Sequence, residues 1–248
     1  MGKMLQLEVR SGLCNRLRAL VSGICLAEDL NCNLIVHWPS KPESAARFFD
    51  LFENSSLPGR VKIIDKGIPL EKMKCNTKEE AKYAFLNNLP ISSNQHFYRT
   101  DTERFDRHIR NLQPVENIKT RVIKNLRSLP PDLIPIGVHI RRTDHKKSIE
   151  ESPFGGFVQE MFKIPKGYFY LATDDALVAS ELMRIFPGRI HCHENLRNRN
   201  TTEGVQEALV SLYTLAACSF ILGCKGSSFS RGAAQIGQKK LQLIENLV

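Results

Sequence analysis

No apolar run in this 248-residue chain approaches the roughly twenty residues that cross a bilayer. Met1 to Val9 carries a single lysine and moves straight into strand-like alternation, without the apolar core of a leader. The expectation is a soluble, cytoplasmic protein with no membrane span. Paired cysteine spacing is also missing. The seven cysteines, an odd number, are scattered at Cys14, Cys25, Cys32, Cys75, Cys192, Cys218 and Cys224, which reads as reduced thiols buried in a cytosolic fold. His191-Cys192-His193 has no Cys-x-x-Cys or His-x3-His companion, so no metal is expected. Neither G-x-G-x-x-G nor G-x-x-x-x-G-K-[ST] occurs, which argues against a dehydrogenase and a P-loop nucleotidase. Charge is not balanced: lysine plus arginine exceed aspartate plus glutamate by 35 − 26, a formal +9. That excess favours anionic partners. Yet the basic residues are interleaved with acids and few aromatics stand among them, so a nucleic-acid partner is not expected.

What is present is alternation of strand and helix patterns. Leu5, Leu7 and Val9 alternate with polar neighbours, and Ser11-Gly12-Leu13-Cys14-Asn15 reads as a tight turn. Leu17, Leu20, Val21, Ile24 and Cys25 recur at helical spacing over residues 16 to 30, and Asn33 to Trp38 reads as a strand. Together these make a βαβ unit. Residues 66 to 114 give only short mixed elements, with a helix expected over residues 77 to 86. Helical spacing from Val115 to Leu129 ends at Pro130-Pro131, which cannot continue it. A domain boundary is placed there, giving 1–130 and 131–248.

The second half holds three strand-then-loop signals. Ile136-Gly137-Val138-His139-Ile140 is an apolar strand that stops in Arg141-Arg142-Thr143-Asp144. Two guanidiniums there suit a phosphate, or form a surface ion cluster neutralised by Asp144. Residues 145 to 156 read as an exposed loop, followed by a helix over 157 to 162. Tyr168 to Ala172 is a second strand, ending in Thr173-Asp174-Asp175. The acidic pair either caps the next helix or offers a carboxylate to a base or ribose. Ser219 to Gly223 is a third strand, running into Cys224-Lys225-Gly226-Ser227-Ser228 before a helix, a combination with phosphate-cradle chemistry. In the first half, the helix start at Asn15-Arg16 either binds an anion through free amides or is simply capped by Asn15.

The motifs Ser11-Gly12-Leu13-Cys14-Asn15-Arg16-Leu17, His139-Ile140-Arg141-Arg142-Thr143-Asp144, Leu171-Ala172-Thr173-Asp174-Asp175 and Gly226-Ser227-Ser228-Phe229-Ser230-Arg231 stand in family order. The chain so resembles the GDP-fucose-dependent α1,2, α1,6 and protein O-fucosyltransferases. The resemblance implies an α/β GT-B fold: two Rossmann-like domains with parallel sheets facing across a cleft, 1–130 on the acceptor side and 131–248 binding the nucleotide sugar. It implies an inverting, metal-independent transfer of fucose from GDP-fucose to a glycan or other hydroxyl acceptor, with no cofactor.

By motif, the resemblance assigns Arg141 to the β-phosphate, His139 and Asp174 or Asp175 to the nucleoside, and Ser227 and Ser228 to phosphate. Gly12, Leu13, Cys14, Asn15 and Arg16 would close over the diphosphate, while Arg142 and Asp144 orient Arg141. Two positions depart from the family. Ser211 stands where many relatives carry an acid for the guanine edge, which admits another donor such as GDP-mannose. Glu150, the candidate general base, is one residue out of register, which admits a catalytically silent sugar-nucleotide-binding protein.

Overall fold

A computed structural model describes residues 3–130, 132–143, 146–192 and 198–245. It divides into two compact units: residues 1–116 with 198–206, and residues 117–197 with 207–248.

In the first unit, β1 (Met4–Val9) leads through Ser11-Gly12 into α1 (Leu13–Asp29) and back to β2 (Asn33–His37). Then come β3 (Val61–Ile64), β4 (Met73–Lys74), α2 (Lys78–Leu86), β5 (Ile91–Ser93) and α3 (Thr102–Asn111). The sheet order is β3-β2-β1-β5-β4, with every recorded pairing parallel. Leu5, Leu7, Leu17, Leu20, Leu34 and Trp38 fill its core. The helix expected before Leu86 is there, and Thr77 starts it: its hydroxyl accepts from Glu80 N at 3.2 Å while Glu80 reaches back to Thr77 N at 3.2 Å. Helix α3, read from the sequence only as part of short mixed elements, buries Phe105, His108 and Ile109, which recur at helical spacing.

In the second unit the elements are α4 (Glu116–Arg127), β6 (Ile134–Ile140), α5 (Lys146–Glu151), α6 (Phe154–Phe162), β7 (Gly167–Thr173) and α7 (Ala176–Ile185). They are followed by β8 (Ile190–Cys192), α8 (Thr202–Ala217), β9 (Phe220–Cys224), α9 (Ser228–Gly237) and β10 (Leu241–Ile244). Helix α4, which precedes Pro130-Pro131, groups with this unit, and the start of α8 as far as Gln206 groups with the first. The order β10-β9-β6-β7-β8 is again parallel, with β6 central. Strand β6 is buried on both faces from Ile136 to Ile140, as its unbroken apolar run requires. Gly137 lets α8 approach closely, since a Cβ there would stand 2.9 Å from Leu215 Cδ2.

The expected loop over residues 145 to 156 is corrected: it holds α5 and the start of α6. Its buried contacts are made by hydroxyls, not hydrocarbon. Ser148 Oγ donates to Lys225 O at 2.9 Å and Ser152 Oγ to Ile244 O at 2.6 Å, so no apolar periodicity announces a helix. No described helix is long and apolar enough to cross a membrane.

Candidate functional site

In open α/β sheets ligands lie outside the carboxyl ends of the strands, where the strand order reverses. In the second unit that reversal falls between β6 and β9. The loops after β6, β7 and β9 therefore leave one edge of one sheet, which places the three sequence signals together.

Arg141 and Arg142 directly follow β6 and are half-buried. Arg142 is engaged at both ends. Its amide donates to Asp174 Oδ1 at 2.7 Å, and its Nη2 donates to Ser152 O at 2.8 Å. Asp174 also accepts from the Thr143 hydroxyl at 2.7 Å through Oδ2. The carboxylate thus fixes the backbone that carries the arginines. Asp175 caps α7, accepting from Leu177 N at 2.8 Å. The two acids divide their work between loop and helix.

The glycine-serine loop is equally constrained. Gly226 adopts φ +73°, a left-handed conformation that glycine takes without penalty. Ser227, 5% exposed, is the N-cap of α9 and accepts from Phe229 N at 3.2 Å. Ser228 begins that helix, so the amides of the first turn and their positive dipole end stand at the ligand edge. Phe229 stacks on His139, centroids 4.9 Å apart, which joins the β6 end to α9. Glu150 is exposed on α5. Asp144 and His193, named in the sequence reading, lie outside the described residues.

The first unit has its own reversal, between β1 and β5. Ser11 there takes φ +65° and receives Asn94 Nδ2 on its hydroxyl at 2.9 Å. Gly12 is the N-cap of α1 without a side-chain cap, and Leu13, Cys14, Asn15 and Arg16 form the first turn. Asn15 is therefore not the cap. Arg16 is completely buried: Nε donates to Ser11 O and Nη1 to Pro39 O, both at 2.7 Å, and the guanidinium lies 5.4 Å from the Trp38 ring. Burial pushes its pKa down to about 10, which leaves it charged at neutral pH. A pocket lined by Lys3, Asn31, Asn33 and Arg60 lies at the opposite edge, at the strand starts. There the C-terminal carbonyls of α1 work against anions.

Ser211, the position of interest for a nucleobase, is 0% exposed and receives the Tyr170 hydroxyl at 3.0 Å. It belongs to the packing of α8 on β7, not to the ligand edge. Sequence reasoning assigned no role to Ser152, nor to Thr143 and Cys224 within their motifs. Their role depends on hydrogen bonds made across strands, which leave no spacing pattern.

Among the described residues no group of three histidine, cysteine, aspartate or glutamate side chains is placed to hold a metal ion. No family model matches the sequence, and no curated protein does. Solved structures do. NodZ α1,6-fucosyltransferase soaked with GDP-fucose superposes with a TM-score of 0.67 at 19% identity, covering 94% of this chain and 92% of that chain. NodZ from Bradyrhizobium gives 0.65 at 20% identity, with 92% of each chain covered. POFUT1 in complex with GDP gives 0.65 at 10% identity, with 98% of each chain covered. Matched over nearly its whole length, the chain has the GT-B fold of the NodZ and POFUT1 fucosyltransferases, built from two α/β units with parallel five-stranded sheets.

Proposed function

We propose that this protein is a fucosyltransferase that takes GDP-fucose as donor and delivers fucose to a hydroxyl acceptor with inversion and without a metal. The observation that carries the reading is the edge between β6 and β9. An arginine pair fixed by Asp174 and a serine-capped helix start leave adjacent strands at a strand-order reversal, in a fold shared with structures solved with GDP and GDP-fucose.

In the proposed reaction the acceptor hydroxyl loses its proton and its oxygen forms a bond to the anomeric carbon. The bond from that carbon to the β-phosphate oxygen breaks, and GDP leaves. Negative charge grows on the β-phosphate. Arg141 and the first-turn amides of α9 are the fixed positive groups that stabilise it in this reading, in place of a cation. His139, Asp174 and Asp175 border the nucleoside side, and Ser227 and Ser228 the phosphate side. Exposed Glu150 is the proposed base.

Titration with GDP, UDP, GDP-fucose and GDP-mannose, followed by transfer assays in EDTA, tests this reading. Tight GDP and GDP-fucose binding with EDTA-resistant turnover is expected. Binding of UDP but not GDP would remove it, and donor binding without turnover would leave a silent sugar-nucleotide receptor. Arg141→Ala should lower turnover by about a hundred- to thousandfold, equivalent to about 3–4 kcal/mol of lost transition-state stabilisation.

A further inference from the structure

Strand β6 runs one residue past the end of its ladder with β9, to Ile140. The last register pair is His139 with Gly223. At the other end of the strand Pro135 O accepts from Ser219 N at 2.8 Å, and successive residues of a strand alternate between their two neighbours. Residues 135, 137, 139 and 141 therefore turn their backbone groups towards β9. Beyond Gly223 the register ladder between β6 and β9 ends. Cys224 pairs in register with Ile244 of β10, and the Lys225 amide is taken by Ser152 Oγ at 2.8 Å. The Arg141 amide and His139 O therefore stand at the end of the strand ladder, a place where side chains take up backbone groups.

The Cys224 side chain takes them up. Its Sγ accepts from Arg141 N at 3.3 Å and donates to His139 O at 3.6 Å, distances that suit the large radius of sulfur. We infer that the Cys224 thiol is a positioning residue for Arg141, bridging the carboxyl ends of β6 and β9 where the sheet opens for its ligand. The inference rests on the donor-site reading above and deepens it. Donation to His139 O requires a protonated thiol, and burial pushes the Cys224 pKa up, with hydrogen bonding from Arg141 N and the charge of Arg142 acting against it. Thr143 and Arg142 are fixed from the other side by Asp174. The arginine loop is thus held by carboxylate on its β7 side and by thiol on its β9 side.

Two substitutions separate bridging from packing. Cys224→Val keeps the buried volume and removes both hydrogen bonds; Cys224→Ser keeps a donor and an acceptor and gives up volume. A bridging role predicts that the valine variant loses about tenfold in kcat with KM for GDP-fucose changed less than about threefold, while the serine variant stays within about threefold of the parent in both. Hydrogen exchange of the Arg141 amide, measured without ligand, should accelerate about tenfold in the valine variant and little in the serine variant. The reverse order of the two variants, or a valine variant with unchanged exchange and turnover, overturns the inference. Should the parent protein neither bind GDP nor transfer fucose, the donor reading fails, and Arg141 exchange still decides whether the thiol makes the bridge.

Discussion

Charged side chains at the two ligand edges differ in what holds them, and the difference sets what each substitution should do. Arg16 has no exposed surface and ties Ser11 O to Pro39 O across the turn that starts α1. Its first task is structural. Arg16→Ala leaves the part-buried Ser11 carbonyl and the buried Pro39 carbonyl without their donor and opens space beside Trp38, so a loss of about 3 kcal/mol in unfolding free energy is expected. Urea denaturation read by fluorescence checks this, and a midpoint equal to that of the parent would contradict it. Arg16→Lys keeps the charge but lacks the fork that spans two carbonyls, so it should recover little. Arginine and motif position were legible in the sequence for Arg16, Arg141 and Arg142 alike. That Arg16 is interior and Arg142 is braced on Ser152 O was not, because burial follows from what packs around a side chain and not from its type.

Elements are joined by polar clusters that hydrophobic periodicity does not register. In the first unit Asp29, the last residue of α1, receives Lys78 Nζ at 2.6 Å, Arg104 Nη2 at 2.8 Å and the Tyr98 hydroxyl at 2.9 Å. It so links α1 to α2 and α3. Desolvation pushes its carboxyl up, but the hydrogen bonds from Lys78, Tyr98 and Arg104 together outweigh this and hold it at about 2, against 3.8 for an unperturbed aspartate. A folded-state value below the unfolded one means stabilisation that is complete above pH 3.8 and is lost as the pH falls through about 2. The urea midpoint of Asp29→Asn should accordingly lie below that of the parent at pH 7, with the gap closing between pH 4 and pH 2. A gap of constant size across that range would exclude the linkage.

The second unit has its counterpart just after α5, where Ser152 gives its hydroxyl to Ile244 O, receives Lys225 N on it, and offers its carbonyl to Arg142. Strands β6, β7 and β9 and the helices after β7 and β9 were legible from apolar runs and caps. Helix α5 was not, because its burial is made by hydroxyls, and α3 reads only as part of short mixed elements although Phe105, His108 and Ile109 recur at helical spacing.

At the scale of the molecule, each sheet has its own core and its own strand-order reversal, but the chain does not keep to one unit at a time. Residues 198–206 return to the first unit, where Arg199 O accepts from Ala45 N at 3.1 Å and Gln206 Nε2 donates to Asp50 O at 3.0 Å. A fragment ending at Glu116 retains all five strands of the first sheet and lacks that segment. It should fold cooperatively, with a lower urea midpoint than the same unit in the full chain. The single tryptophan, Trp38, is buried in that unit and reports on it alone. Identical midpoints would show that residues 198–206 contribute nothing to it.

By itself the sequence determined the alternation of strands and helices, because apolar period and capping residues act over a few positions, while the pair of parallel sheets was implied by the resemblance of its motifs. It also determined the chemistry at the strand ends, since Arg141, Asp174 and Ser227 follow apolar runs directly. Tertiary structure decided the rest. Strand order sets β6 beside β9 and so creates the reversal at which those loops meet. Packing of α8 on β7 takes Ser211 into the interior, and the end of the β6–β9 ladder gives the Cys224 thiol its two backbone partners. Each of these depends on residues far apart in the chain, and contact between them is fixed only when the sheet closes around its core.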